Sequence, residues 1–281
     1  MTVLKLKSKV AAAPAQNNHI LFPTMPLELR ELIYFYALAD QHQRSITISA
    51  ADAIHGSPLQ CPYYLPKLCR VNEATRIDVG LWFIRTTEFG LLYPHHAIYF
   101  AQFLSTFPEN TGFASIRRLD FQLFGRHVPQ LADGVRDRNA YIDFMKRCTG
   151  LTQVRIKFEM WYLLRRRFTE TNSPSYWAAS PWTPEPLSVE GIVELYRLDD
   201  LFQLTDLTEL TIEVWPKAVT RTAKGVLHVT PNCWPVMEKL AVWIRNGFAE
   251  RGRKVSIVLS ESSNSGLRWA GEAEIGMNTG A

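Results

Sequence analysis

Three segments of the chain alternate apolar and polar residues with a period of two, the pattern of a β-strand with one buried face. A leucine or isoleucine stands three residues before the first apolar position of each segment. The segments are Ile116-x-x-Leu119-x-Phe121, Leu151-x-x-Val154-x-Ile156-x-Phe158 and Leu207-x-x-Leu210-x-Ile212-x-Val214. The pattern predicts three strands of the same kind.

Helical periodicity occupies the segments between these strands. It spans residues 135–148, 188–204 and 231–250, and a final predicted strand covers residues 254–259. Upstream, residues 86–92 predict a further strand, and Pro94 begins a predicted helix. Helices that alternate with strands imply roughly parallel neighbours joined by right-handed crossovers. The predicted fold class is therefore α/β, with α+β as the alternative.

The predicted strands carry a sequence signature close to the Leu-x-x-Leu-x-Leu of leucine-rich repeats. Their leading residues, Ile116, Leu151 and Leu207, are 35 and 56 residues apart. A regular solenoid of this kind repeats every 20 to 29 residues or so. We therefore expect an irregular, leucine-rich-like arrangement with insertions; the alternative is an ordinary α/β domain whose strands happen to begin with leucine.

A short amphipathic helix is predicted at residues 25–38. Pro26 suits the first helical turn, where a missing N–H costs no hydrogen bond, and Glu28 favours the positive end of the helix dipole. An apolar stripe at helical spacing follows: Leu29, Leu32, Ile33 and Tyr36.

A second sequence element lies at residues 65–79, about thirty residues after the first. The residues of interest in the first element are Met25, Pro26, Leu27, Glu28, Leu29, Arg30, Ile33 and Tyr34. Those in the second are Leu68, Val71, Asn72, Arg76, Asp78 and Val79. In this order the two elements resemble the fungal F-box-like protein family, over roughly residues 20–125.

This resemblance divides the chain into four parts. Residues 1–19 are expected to be a disordered leader, because their composition offers little apolar surface to bury. Residues 20–85 would form the F-box-like helical module, with an insert at residues 40–64. Residues 86–260 would form the α/β leucine-rich-like interaction region, and residues 261–281 a flexible tail.

The resemblance implies a protein-interaction adaptor of the F-box substrate-receptor kind. Pro26, Leu29 and Ile33 would contact the ubiquitin-ligase adaptor protein together with Val71, and the later strands would hold an unknown protein substrate. Alternatively, the two helices cap the core of a stand-alone binding scaffold. A third hypothesis is an enzyme without a recognisable motif.

A proline-rich segment at residues 169–187 contains Trp177 and Trp182. It is either a partner-binding loop, because tryptophans are frequent interface anchors, or a loop that folds back and buries them. Just before it stand Arg165, Arg166 and Arg167, after Arg155 and Lys157. These cations either dock an acidic or phosphorylated peptide or form a solvated helix end.

Composition narrows the class of protein. A hydrophobic fraction of 47% is typical of a globular chain, and a net charge of +4 is too small to indicate nucleic acid. No run approaches the roughly twenty apolar residues of a membrane helix, so no membrane partner is expected. Four cysteines without C-x-x-C spacing predict free thiols in a reducing compartment, the cytoplasm or the nucleus.

Motifs of common catalytic and metal sites are missing from the sequence. It contains no glycine-rich phosphate loop, no H-E-x-x-H and no G-x-S-x-G. His95 and His96 would point about 100° apart on a helix, and Cys69 is interpreted as an inert core thiol. We therefore predict no cofactor, no metal site and no catalytic residue.

Overall fold

A parallel sheet of six strands organises the computed structural model of the protein. The structure describes residues 25–39, 45–48, 59–126, 138–165, 185–215, 219–221, 227–229 and 232–261. The predicted leader and all of the predicted tail except Glu261 lie outside these ranges. The strands of the sheet are β1 (Ser45–Ile48), β2 (Glu88–Leu91), β3 (Arg118–Phe121), β4 (Gln153–Glu159), β5 (Glu209–Trp215) and β6 (Ser256–Glu261).

Helices precede or connect these strands. The α-helices are α1 (Leu27–Ala37), α2 (Glu73–Thr86), α3 (Pro94–Leu104), α4 (Thr111–Ser115), α5 (Ala140–Arg147), α6 (Val189–Tyr196) and α7 (Trp234–Ala249). Short 3-10 helices lie at Lys67–Arg70, Pro108–Asn110, Phe124–Arg126, Met160–Leu163 and Leu198–Gln203. Two small antiparallel pairs lie outside the sheet, Leu164–Arg165 with Glu185–Pro186 and Val219–Arg221 with Leu227–Val229.

The six strands stand side by side in chain order, and every neighbouring pair is parallel. The α/β prediction is therefore confirmed. The predicted strands begin two residues after their leading apolar residue, and Val154 of β4 lies beside Leu210 of β5, which lies beside Ile257 of β6. Because the inward positions are in register, they form continuous apolar rows across the sheet.

One face of the sheet carries the helices. Contacts between helices run from α2 through α4 and α3 to α5, and from α5 through the 3-10 helix Leu198–Gln203 to α6 and α7, so the helices form one layer. In β4, Val154, Ile156 and Phe158 are buried against this layer, whereas the residues between them are more exposed. A chain that adds each parallel strand beside the last must return across the same face each time, because crossovers keep one hand.

The turns before the strands repeat a hydrogen-bond pattern that aligns the sheet. The Arg117 carbonyl oxygen accepts from the N–H groups of Thr152 and Gln153, at 3.0 and 2.9 Å. One strand further on, the Thr152 carbonyl oxygen accepts from the N–H groups of Thr208 and Glu209, at 2.8 and 3.0 Å. The similar spacing of the three sequence segments thus reflects the same turn at the start of each strand.

The three helices predicted between strands are present, each shorter than its segment. Helix α5 begins after Asn139, whose side-chain oxygen accepts from the N–H groups of Tyr141 and Ile142. The segment at 188–204 divides into α6 and a 3-10 helix, because Arg197 adopts a left-handed backbone conformation with φ 55°. Helix α3 begins at Pro94 as predicted.

The predicted insert at residues 40–64 contributes an edge strand that the sequence did not reveal. Strand β1 pairs with β2, so that Ile46 lies beside Phe89 and Ile48 beside Leu91. Both isoleucines are buried in the same apolar core as the helices and the later strands. The helical part and the α/β part of the chain therefore share one core.

We predict that Ile156→Ala and Ile212→Ala each lower the free energy of unfolding by about 2 to 5 kcal/mol, the usual cost of truncating a buried aliphatic side chain. Both isoleucines are fully buried in the middle of central strands. Urea unfolding measures the change. The matched control is Val258→Ala, on an exposed position of β6, which should change stability by no more than about 0.5 kcal/mol. Neutral results at both isoleucines would contradict the strand register.

Candidate interaction surfaces

Helix α1 is held against α2 by its polar side. The Arg30 guanidinium lies 2.6 Å from Oδ2 of Asp78, and the Tyr34 hydroxyl donates a hydrogen bond to the same oxygen. The ring of Tyr34 is fully buried and packs edge-on against Trp82, with centroids 6.0 Å apart. Burial and the hydrogen bond to Asp78 raise the pKa of Tyr34, so the phenol stays protonated. One carboxylate on α2 therefore fixes two side chains of α1.

A second ion pair joins the two helices nearer the end of α2. Glu31 lies 3.1 Å from the Arg85 guanidinium, with both side chains one-third exposed. Leu38, which follows the last turn of α1, is buried. The side of α1 that faces the protein is thus formed by Arg30, Tyr34 and Leu38, which are spaced four residues apart.

The apolar stripe predicted on α1 lies on its outward side. Five large apolar side chains of the helix are 41% to 70% exposed. They are Leu27, Leu29, Leu32, Phe35 and Tyr36. Leu27 stands one turn before Arg30 on the inward side, so we call the other four residues the α1 apolar surface. An amphipathic helix usually turns its apolar stripe toward the core. Here the mostly buried ion pair of Arg30 with Asp78 holds the opposite side of the helix against the protein.

The structure places the four predicted adaptor-binding residues at or near the surface. Leu29 belongs to the α1 apolar surface, Ile33 is partly buried, and Val71 is 56% exposed just before α2. Pro26 is exposed and stands immediately before the helix, where its carbonyl oxygen accepts from the Arg30 N–H at 3.1 Å. The prediction that it lies within the first turn is off by one residue.

The remaining residues of the second sequence element build the start of α2. The Asn72 side-chain oxygen caps the helix by accepting from the Thr75 N–H at 2.8 Å. Arg76 is buried and donates to both carboxylate oxygens of Glu73, at 3.0 and 2.6 Å, and to the Thr106 carbonyl oxygen at 3.2 Å. The two sequence elements thus meet in space at Asp78, a pairing that spacing alone could not reveal.

The face of the sheet opposite the helices carries a network of charged side chains. Arg155 of β4 lies 3.0 Å from Glu88 of β2 and 3.2 Å from Glu213 of β5. Lys157 lies 3.3 Å from Glu213 and 3.5 Å from Asp120 of β3. We call these five residues the sheet charge network. It joins four adjacent strands through ion pairs, whereas the other face of the sheet packs through apolar side chains.

Asp120 is the most buried member of the network, with only 3% of the residue exposed. Its Oδ2 faces Lys157 at 3.5 Å and Arg155 at 3.9 Å, whereas its Oδ1 has no hydrogen-bond partner. Burial raises the pKa of this carboxyl group above its ordinary value, although the two cations oppose the shift. The two cations therefore offset only part of the free-energy cost of removing this carboxylate from water.

The predicted basic cluster is divided by the fold. Arg155 and Lys157 point to the sheet charge network, where three carboxylates neutralise them. The backbone of Arg165 lies in a two-residue strand rather than at a helix end. The other four residues predicted to bind a partner lie outside the described ranges: Arg166, Arg167, Trp177 and Trp182.

Two of the reactive side chains singled out in the sequence, Cys69 and His96, lie in the core, whereas His95 is exposed. Cys69 is buried in the 3-10 helix that precedes α2, and burial raises its pKa to about 12. His96 is also buried, at the start of α3. Among the described residues, no group of histidine, cysteine or acidic side chains is arranged to hold a metal ion. The described helices also include none that is long and apolar enough to span a bilayer.

A surface cleft of about 540 Å³ lies where the strands begin, and Arg117, Arg253 and Lys254 are among its lining residues. Arg117 donates to the carbonyl oxygens of Ala114 and Gly150, at 2.6 and 2.8 Å. Arg253 points to the carbonyl oxygens of Phe202 and Leu207. Both guanidinium groups are therefore engaged in holding the turns before the strands.

Comparison with known proteins adds no relative to this description. No family model, no curated protein and no solved structure matches the chain. The two surfaces are thus characterised by their own residues: an outward apolar helix face and a charged sheet face.

We predict that Asp78→Ala lowers the free energy of unfolding by about 3 kcal/mol, because it leaves the mostly buried Arg30 without its counter-charge and Tyr34 without its acceptor. Thermal melts followed by circular dichroism measure the loss. The control is Glu31→Gln, which breaks the more exposed pair with Arg85 and should cost about 0.5 kcal/mol. Equal losses in the two variants would show that Asp78 is not the anchor of α1.

We also predict a pH-dependent effect of Asp120→Asn. The raised pKa of Asp120 means that its contribution to stability is fully present below its unfolded pKa, about 3.9, and is lost as the pH rises through the folded value. The neutral amide avoids this loss. The free energy of unfolding of the variant minus that of the wild type should therefore be larger at pH 7 than at pH 4. Urea unfolding at the two pH values measures it. If the free energies of unfolding of the variant and the wild type differed by the same amount at both pH values, the raised pKa would be contradicted.

Proposed function

We propose that the protein is a protein-interaction adaptor that resembles an F-box substrate receptor, with α1 binding the adaptor subunit of a cullin-type ubiquitin ligase. The observation that carries the proposal is the outward direction of the α1 apolar surface. It agrees with the sequence resemblance, which assigns ligase-adaptor contacts to Leu29 and Ile33 on this helix. Val71, also exposed, belongs to the same proposed contact set.

The exposure of these side chains distinguishes two hypotheses. A helix that only caps the α/β core would bury its apolar stripe, because that burial is its main source of stability. Helix α1 instead packs through Arg30 and Tyr34 and leaves Leu29, Leu32 and Tyr36 exposed. Large exposed apolar side chains arranged at helical spacing are typical of a helix that docks into a partner's groove.

The energy available from such docking is adequate for specific association. Complete burial of one leucine or aromatic side chain contributes about 1.5 to 3 kcal/mol. Several such side chains on α1 could together offset the loss of translational and rotational freedom, which costs at least about 4 kcal/mol. The polar anchor at Asp78 keeps the helix in place, so little conformational entropy is lost on binding.

A stand-alone binding scaffold is the second hypothesis, in which α1 docks on a partner unrelated to a ligase. An enzyme is the third. A catalytic role would call for polar groups that converge on a cavity. In the described ranges, the thiols with raised pKa values, Cys69, Cys148 and Cys233, are buried in the core instead.

The experiment is affinity capture of the tagged protein from cell extract, followed by mass spectrometry. The wild type should recover both the ligase adaptor and a cullin. The double variant Leu29→Glu with Leu32→Glu should lose both, because charges on the α1 apolar surface cannot enter an apolar groove. Both leucines are about half exposed, so the variant should remain soluble and melt like the wild type. Ile33 is left unchanged because it is partly buried.

The matched control is Val242→Glu, which places one charge on an exposed apolar position of α7. It should retain the ligase adaptor and the cullin. A wild type that recovers neither subunit would overturn the ligase function. Early melting of the α1 variant would mean that the helix is part of the core after all.

A further inference from the structure

The face of the sheet opposite the helices is polar along most of its length. Because side chains alternate along each strand, residues in register with Arg155 and Lys157 lie on this face. Its charged residues in β2 to β5 are five carboxylates, Glu88, Asp120, Glu159, Glu209 and Glu213, and three cations, Arg118, Arg155 and Lys157. The face is thus net negative, although the whole chain has a net charge of +4.

The sheet charge network itself has a surplus carboxylate. Three acidic side chains, Glu88, Asp120 and Glu213, face two cations. Of the three carboxylates, Glu88 and Glu213 are partly exposed, whereas Asp120 is buried.

Strand β6 and the middle of β5 add uncharged side chains to this face. Beside the network, β5 presents Thr211, and β6 presents Ser256 and Val258, of which Val258 is 41% exposed. Trp215, at the end of β5, lies on the same face. With neighbouring strands about 4.8 Å apart, six strands span about 24 Å, the length of about seven extended residues.

We propose that this face of the sheet is the surface that takes the protein substrate, and that the segment it takes is extended and basic. This inference rests on the proposed function and deepens it by naming the chemical class of the partner. A lysine or arginine of the segment neutralises the surplus negative charge of the network. Its small or apolar residues lie along Thr211 and Val258.

The test measures binding of a fluorescein-labelled peptide of ten residues in which lysine and threonine alternate, by fluorescence anisotropy on the full chain. The wild type should bind it, more weakly as salt is added, and should not bind the peptide with glutamate in place of lysine. The double variant Glu88→Gln with Glu213→Gln turns the surplus negative charge of the network into a positive one. It should bind the lysine peptide about tenfold more weakly.

Two further variants keep the test decisive. Glu194→Gln, at an exposed position of α6 in the helix layer, makes the same kind of charge change and should leave binding unaltered. Arg155→Gln removes a cation from the network and should tighten peptide binding. Loss of folding would instead weaken it, so the two causes can be distinguished. If Glu194→Gln weakened peptide binding by the same factor, the effect would come from the overall charge of the protein and not from the sheet charge network. Absence of binding by the wild type, or weaker binding by Arg155→Gln, would overturn the inference.

The outcome is separable from that of the proposed ligase function. The double variant Leu29→Glu with Leu32→Glu changes only α1 and should bind the lysine peptide like the wild type. If the wild type bound the lysine peptide but did not recover the ligase adaptor, the sheet surface would stand and the protein would be a stand-alone scaffold. Retained ligase binding without peptide binding would refute the sheet surface alone.

Discussion

The parallel pairing of strands in chain order is the constraint on which the rest of the structure depends. Each new strand is added beside the previous one, so each connecting helix returns across the same face of the sheet. That face becomes the apolar core, with Ile156 and Ile212 at its centre. The opposite face has no helix layer in the described ranges, and its side chains are free to be polar.

The same architecture explains where charge is tolerated. Arg155 and Lys157 alternate with the core residues of β4, and the neighbouring strands bring carboxylates within 3.0 to 3.5 Å of them. The sheet charge network thus links strands through ion pairs on the face that the helices of the described ranges leave uncovered. Asp120 is the member of the network that loses most of its hydration, and this burial raises its pKa.

A single, mostly buried carboxylate decides the orientation of the helix at the other candidate surface. Asp78 binds both Arg30 and Tyr34, and these contacts decide which side of α1 faces the protein. With its polar side inward, the helix presents Leu29, Leu32 and Tyr36 outward. The proposed ligase contact and the proposed substrate surface therefore lie on separate parts of the molecule, α1 and the sheet, joined by one core.

The sequence by itself determined the elements whose periodicity is local. The period-two segments around Ile156 and Ile212, the helices between them and the stripe on α1 were all predictable, because a few neighbouring residues decide them. Tertiary structure decided what those elements face. The pairing of Arg30 with Asp78, the addition of β1 to the sheet and the neutralisation of Arg155 join residues far apart in the chain. Such contacts depend on packing and register, which no local pattern encodes.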